Sequence, residues 1–204
     1  MSEDFIPLRE QDVLADPLAQ FAAWFEEARQ AGIAHPEEMA VATATANGTP
    51  SVRMVLMKGY DADGFAFFTN YDSRKGADLD ANPRGALLFY WGVLGRQVRV
   101  EGAVKRTSRE RTAQYVHSRA RGSQLSAMAS PQSQVVPSRG ALEDRVEEMA
   151  AHYAETELPV PDRWGGYLVL PERVEFWQHR DDRLHDRLLY TPDGDGWKIQ
   201  RLAP

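Results

Sequence analysis

The sequence predicts a mainly β fold with added helices, an antiparallel barrel into which helices are inserted one at a time. Three observations lead there. Short strand-like runs recur at hairpin spacing, turn residues of the hairpin kind separate them, and each helical stretch carries its own cap signal. No internal repeat and no linker composition interrupts the 204 residues, a length that fits one domain with a sizeable core.

Residues 1–15 lack a clear period and read as a flexible N-terminal arm ahead of a single domain over 16–204. Asp16-Pro17 is an N-cap followed by proline at the first helical position, and Leu18, Phe21, Phe25 and Ala28 mark one face of the helix that Gly32 ends. Met39 to Ala46 is strand-like, Asn47-Gly48 is a hairpin turn, and Ser51 to Tyr60 returns as a strand. Asp61-Ala62-Asp63-Gly64 turns the chain again before a strand from Phe65 to Asn70. Ser73 caps a short helix that stops before Asn82-Pro83, and Gly85–Trp91 and Gln97–Lys105 are two further strands. Thr107 with Glu110 resembles a capping box, which predicts a helix over 108–118. From Ala120 to Pro137 the chain is rich in Ser and Gln without a period, and is read as a binding loop. Ser138 opens a helix with Leu142, Val146, Met149 and Tyr153 on one face. Strands over 166–170, 173–178, 187–190 and 197–202 close the chain, the last two joined by Asp193-Gly194-Asp195-Gly196.

The charge balance, 24 basic against 30 acidic residues and net −6, argues against a general nucleic-acid or membrane-surface binder while leaving room for local anion sites. The absence of cysteine excludes thiolate catalysis and Cys-ligated metals, and the five histidines lack metal-ligand spacing, so no metal is expected. The acidic start Met1-Ser2-Glu3-Asp4 is followed by no long apolar stretch, and the longest apolar run, Ala86 to Trp91, is too short to cross a bilayer. A cytoplasmic soluble protein is expected. Dinucleotide, Walker, metalloprotease and nucleophile-elbow motifs are missing.

What remains is a set of basic and polar clusters. If the segment from Arg183 is extended, Arg183, His185 and Arg187 share one face, and three such groups repel unless an anionic or electron-rich ligand lies against them; otherwise they form a solvated edge that blocks aggregation. In Arg53-Met54-Val55-Leu56-Met57-Lys58 a cation closes each end of an apolar strand, as two solvated ends or as part of a site. Arg74 and Lys75 occupy the first turn of a helix, where cations oppose the dipole unless a phosphate meets them and the backbone N–H groups. Tyr115 and Arg119, with Arg121 and Ser123 beyond, suit a second phosphate or a capped helix end. Gln97 and Gln132-Ser133 offer amide groups that can read a heterocycle's edge, or ordinary surface polarity.

Together these residues resemble the pyridoxamine/pyridoxine 5′-phosphate oxidase family. The resemblance runs through RMVLMKGYD (53–61), FFTNYDSRKG (67–76), NPRGALLFYW (82–91), RQVRVEG (96–102), YVHSRARGSQ (115–124), ASPQSQ (129–134), WGGY (164–167), VEFWQ (174–178), RLHDR (183–187) and WKIQRLAP (197–204), nearly everything from residue 16 onward. It implies an FMN-binding split barrel of antiparallel Greek-key type that works as a homodimer, with flavin between the subunits. It further implies that FMN is held by Arg53, Met54, Val55, Leu56, Met57 and Lys58, by Phe68 and Thr69, by Arg74 and Lys75 at its phosphate, and by Gln97, Gln132, Ser133, Trp177 and Arg187, some from the partner. Lys58, Tyr115, Arg119 and Ser123 would hold the phosphate of pyridoxine or pyridoxamine 5′-phosphate, while Arg183 and His185 lie over the substrate ring as the catalytic pair. The implied reaction passes a hydride from C4′ to flavin N5, yields pyridoxal 5′-phosphate, and lets O2 reoxidise the flavin with release of H2O2.

The chain departs from the family pattern at Ser126-Ala127-Met128, where relatives usually have Gly-Ala-Trp, at Ala120 in place of proline, and at His179 in place of glycine. Ser2, Glu3, Asp4 and Phe5 stand where some relatives carry Arg/Tyr lid residues. Two other readings stay open: a relative acting on another flat heterocycle of the phenazine kind, and a non-catalytic FMN or pyridoxal-phosphate binding module. Retention of the anion anchors argues against the former.

Overall fold

The computed structural model describes residues 6–204, so Ser2 to Phe5 lie outside the described residues. Its elements are α1 (Pro17–Gln30), β1 (Glu38–Ala44), β2 (Pro50–Leu56), β3 (Tyr60–Asp61), β4 (Gly64–Asn70), α2 (Arg74–Ala81), β5 (Arg84–Trp91), β6 (Arg96–Arg106), α3 (Arg109–Ser118), α4 (Arg121–Ala129), α5 (Arg139–His152), β7 (Trp164–Gln178), β8 (Asp186–Asp193) and β9 (Gly196–Arg201). Among the described residues no helix is long and apolar enough to cross a membrane.

The strands form one antiparallel sheet in the order β2-β1-β5-β6-β7-β4-β3, and β8 and β9 branch from β7. β7 is where the sheet splits. Along one edge it pairs with β6 over nearly its whole length; along the other, residues 164–169 pair with β4 and 174–178 pair with β8. The two runs expected over 166–170 and 173–178 are thus one strand. A bulge between the pairs Glu101–Arg173 and Gly102–Pro171 leaves Glu172 as the extra residue, and an irregularity beside it lets a proline sit inside a long strand. Gly102 has to be glycine, because a Cβ there would run into the Leu170 carbonyl oxygen.

The core is aromatic. Phe21 of α1 is fully buried and meets Phe65, Phe89 and Tyr60 with ring centroids 4.8, 4.9 and 5.0 Å away. Trp24, three residues on, sets its ring edge-on to Phe176 at 5.1 Å. Both side chains lie on the helical face that the 3–4 spacing marks, and burying them fixes α1 to the sheet. Asp16 caps α1 by accepting from the N–H groups of Leu18 and Ala19. Asp16→Ala is expected to destabilise the fold by about 1 kcal/mol, read as a lower urea midpoint with an unchanged slope.

Three local expectations are corrected. The stretch 120–137 is not all loop: residues 121–129 form α4, which buries Leu125 and Ala129, four residues apart, beneath an otherwise polar surface. The cap of α3 is Ser108 rather than Thr107; its hydroxyl accepts from Arg111 N–H, and Thr107 Oγ1 pairs with Thr112 Oγ1 instead. The expected arm is tied down over its described part. Leu8 is buried, its N–H donates to Asp186 and its carbonyl accepts from Arg201, while Tyr190 Oη donates to the Leu14 carbonyl.

Candidate active site

A cleft of about 590 Å³ opens between β2, β4, the start of α2, the end of α3 and the segment after α4. Of the residues expected at a ligand site, Arg53, Met54, Val55, Leu56, Lys58, Phe68, Thr69, Arg74, Lys75, Tyr115, Arg119, Gln132 and Ser133 line it. Five of these are cations, and no carboxylate joins them among the described residues. In a chain of net charge −6 such a wall is costly without an anion to face.

The electrostatics are built from below. Arg53 donates to the Val41 carbonyl (3.2 Å), Thr43 Oγ1 (2.8 Å) and Ser51 Oγ (2.7 Å). Asp78, buried on α2, accepts from Thr43 Oγ1 at 2.6 Å and lies 3.7 Å from the Arg53 guanidinium. The pair Asp78 and Thr43 thus holds the guanidinium from behind. Burial pulls the Arg53 pKa down, Asp78 pushes it back up, and Arg74 lowers it further.

Lys75 is only 7% exposed. Its Nζ donates to Thr69 Oγ1 (3.0 Å), Ser73 Oγ (3.3 Å) and Gln132 Oε1 (3.3 Å), all neutral acceptors. Burial, and secondarily Arg53, lowers its pKa to about 8. Gln132 Oε1 also accepts from Thr69 Oγ1 at 2.9 Å, which draws the segment after α4 onto β4. Next to it Ser133 adopts a left-handed backbone, φ 72°, a strained conformation of the kind that clusters at ligand sites.

The opposite group is a ring wall. Phe68 and Tyr115 stack at 4.0 Å, and Trp164 lies nearly parallel to Tyr115 at 6.0 Å. Gly166 leaves room for the Phe68 ring, since a Cβ would come within 2.7 Å of it. The Arg119 guanidinium sits 4.9 Å from the Trp164 ring centre. Its Nη1 is buried without a hydrogen-bond partner among the described residues, and an orphaned cationic donor in a cleft is a place for an anion.

The remaining expected residues lie elsewhere on the protomer. Met57 points into the core at 5% exposure. Ser123 sits in the first turn of α4 and does not line the cleft. Gln97, Trp177 and Arg187 form a row across β6, β7 and β8. Arg183 and His185 precede β8, in and just after a turn.

The shared face of Arg183, His185 and Arg187 does not exist as expected. Residues 181–183 form a short 3-10 turn in which Asp182 and Arg183 have φ of 56° and 62°, and β8 starts only at Asp186. Arg187 is no repelled cation either. Its Nε and Nη2 bind the buried Glu175 carboxylate at 2.7 and 3.2 Å, and Nη1 donates to the Ala203 carbonyl. His185 accepts the Arg180 N–H at Nδ1 (3.1 Å), and its ring packs against Trp177 at 4.6 Å.

An exposed apolar band connects the two groups. Val52, Met54 and Leu56 of β2 and Leu88 and Tyr90 of β5 are each 38–67% exposed. Met54 and Leu88 flank Ala40, and Tyr90 pairs with Gln97, the first residue of the row. A contiguous exposed apolar patch of this kind marks an interaction surface.

Sequence reasoning missed Ser51, Val52 and Trp164 on the cleft wall, and Asp78 and Thr43 behind it. Trp164 had a signal, as the aromatic residue heading WGGY. Asp78 had none, because a carboxylate three residues after Lys75 reads as a surface helix pair.

The family model described as "Pyridoxamine 5'-phosphate oxidase" matches residues 25–153. That described as "Pyridoxine 5'-phosphate oxidase C-terminal dimerisation region" matches residues 164–204. Curated proteins named pyridoxine/pyridoxamine 5′-phosphate oxidase are similar over nearly the whole chain: that of Rubrobacter xylanophilus is 54% identical, with 97% of this chain and 91% of that protein covered. That of Salinibacter ruber is 53% identical, with 97% and 93% covered. Among solved structures, PhzG from Burkholderia lata 383, in complex with tetrahydrophenazine-1-carboxylic acid, superposes with a TM-score of 0.92 at 31% identity over 98% of each chain. An FMN-binding, pyridoxamine 5′-phosphate oxidase-related protein from Nostoc punctiforme, 18% identical, shares the fold with a TM-score of 0.71 over 92% of this chain and 97% of that one.

Proposed function

The chain belongs to the pyridoxamine 5′-phosphate oxidase family, and on that premise we propose that it oxidises pyridoxine and pyridoxamine 5′-phosphates to pyridoxal 5′-phosphate with FMN as cofactor. The observation that carries this reading is the cleft, in which two groups of cations and a ring wall occur together, with no carboxylate among the described lining residues. Buried Lys75 and unpartnered Arg119 Nη1 fit two phosphorylated molecules.

Arg53, Arg74, Lys75 and Thr69 would hold the flavin phosphate, with Gln132, Ser133 and the β2 residues 54–56 along the ring system. Lys58, Tyr115 and Arg119, with Ser123 nearby in sequence, would hold the substrate phosphate. When bound, FMN would supply the redox chemistry, taking two electrons from the substrate and returning them to O2 as H2O2. The protein contributes orientation and charge: phosphate anchors at fixed positions bring the substrate carbon to the flavin in one pose.

Gln97, Trp177, Arg183, His185 and Arg187 do not line this protomer's cleft. We read them as completing the cleft of a second copy in a homodimer, with flavin at the interface. The apolar band beside the Gln97 row and the match of residues 164–204 to a dimerisation region support that assembly. Residues 16–204 then act as one domain of a cytoplasmic enzyme.

The phenazine-type reading has one specific observation behind it, the similarity to PhzG. The higher identity to the vitamin-phosphate oxidases and the number of anion anchors favour the first reading. The test is to purify the protein, record its flavin spectrum, add each vitamin phosphate, and follow aldehyde and peroxide. Bound flavin with no aldehyde from either substrate overturns the proposal. Arg183→Leu is expected to lower kcat/KM about tenfold to a hundredfold, the loss of a charged hydrogen bond, with flavin still bound. Loss of flavin in that variant would reassign Arg183 to the cofactor.

A further inference from the structure

We propose that His179 is a positioning residue for the oxidation: with Trp177 it encloses the His185 ring in a three-ring cluster that fixes its orientation and keeps it neutral. The inference rests on the reading that His185 faces the substrate.

The geometry is a closed triangle. Ring centroids lie 4.6 Å apart for Trp177 and His185, 5.2 Å for His179 and His185, and 6.1 Å for Trp177 and His179. Trp177 lies at the end of β7, and His179, two residues on, directly follows the strand. That end is rigid. The His179 N–H donates to the Gly95 carbonyl at 2.7 Å, and buried Gln178 binds the Leu94 and Gly95 carbonyls with its amide N and Arg96 with its amide O. His179 is not among the described residues with left-handed backbone, so its ring is carried at no conformational cost.

The His185 Nδ1 accepts the Arg180 N–H. A neutral ring in that arrangement carries its hydrogen on Nε2 and offers a ligand an N–H donor. Protonation would place a hydrogen on Nδ1 and break the bond to Arg180. It would also set a new cation against the Arg183 guanidinium and against His179. The neighbouring Asp186 carboxylate is already engaged by Leu8 N–H, Arg201 (2.7 Å) and Arg180 (3.9 Å), and Asp181 and Asp182 lie in the turn before His185. In line with this, burial first, then His179 and Arg183, hold His185 below the usual imidazole pKa.

A donor fixed at Nε2 suits the oxygen or neutral nitrogen on the carbon being oxidised, because it orients that atom's lone pair.

The test uses FMN-loaded protein with ¹⁵N-labelled histidine, His185 being assigned by its loss in His185→Gln. The expected wild-type spectrum shows the Nε2–H tautomer. His179→Phe keeps a ring and removes the second imidazole, so the His185 titration midpoint rises and the acid limb of kcat/KM moves to higher pH. His179→Ala removes both: the midpoint rises, the tautomers mix, and kcat falls about threefold to tenfold further than in the Phe variant. An unchanged His185 midpoint and tautomer in both variants overturns the proposal. If the wild type oxidises neither vitamin phosphate, the functional reading fails on its own, and the NMR titration still decides whether His179 governs His185.

Discussion

Lys75→Met weakens FMN binding about a hundredfold or more and, at the same time, stabilises the flavin-free protein at pH 7. The two effects share one cause. Lys75 is buried, and among the described residues its Nζ meets only neutral acceptors, so the flavin-free protein bears the cost of an unpaired charge. Burial, and secondarily Arg53, pushes its pKa down to about 8, in line with that cost. Between about pH 8 and 10.5 the unfolded chain holds a proton here that the folded protein has released, so wild-type stability rises with pH across that window. Below pH 8 the full penalty stands. Methionine removes it, with an expected gain of about 1–2 kcal/mol after the lost hydrogen bonds are set against it. Anion binding runs the other way. A phosphate restores the charged form, so wild-type affinity is flat below about pH 8 and falls above it as binding must first recover the proton. Urea unfolding at pH 7 and 9.5 and a flavin fluorescence titration over pH 6.5–9.5 read both. A methionine variant that is less stable at pH 7 and binds flavin as before would show that Lys75 does not face the phosphate.

Phe21→Ala costs about 3–5 kcal/mol of folding stability, the range for deleting a large buried ring that leaves a cavity. The Phe21 ring is fully buried and has aromatic neighbours on α1, β3, β4 and β5, so few of them can move to fill the space without losing their own contacts. Phe21→Leu, which keeps most of the volume, is expected to cost less than half as much. Urea midpoints of the three proteins decide it, and a loss below about 1 kcal/mol for the alanine variant would mean that the sheet packs without α1.

Much of the fold was legible because its signals are local. Asp16-Pro17, Asn47-Gly48 and Asp193-Gly194 each act through a cap or a turn that needs no distant partner, and the elements they bound stand close to where expected, except that the strand expected over 51–60 ends at Leu56 and Tyr60–Asp61 pairs separately with β4. The helix over 121–129 was hidden because only Leu125 and Ala129 turn inward, too few to impose a period on a polar stretch. The turn at Asp181-Asp182-Arg183 had a signal that the alternation argument overrode: aspartate tolerates a left-handed backbone and starts turns, and two in succession interrupt a strand. Arg53, Arg74, Lys75 and Arg119 could be picked out by residue type and context. Asp78 and Thr43 could not, since what sets them apart is burial against Arg53, and only the pairing of β1 with β2 and the packing of α2 bring that about.

The forked strand β7 bears on how this protein can be divided. Its first half carries Trp164 of the ring wall between β4 and β6, and its second half carries Trp177 and Glu175 between β6 and β8. The region that resembles a dimerisation module therefore begins inside the cleft. Cutting the chain at residue 163 would not yield a monomeric catalytic half. It would strip a central strand from between β4 and β6, leave two long unsatisfied edges, and turn a question about subunit assembly into one about aggregation.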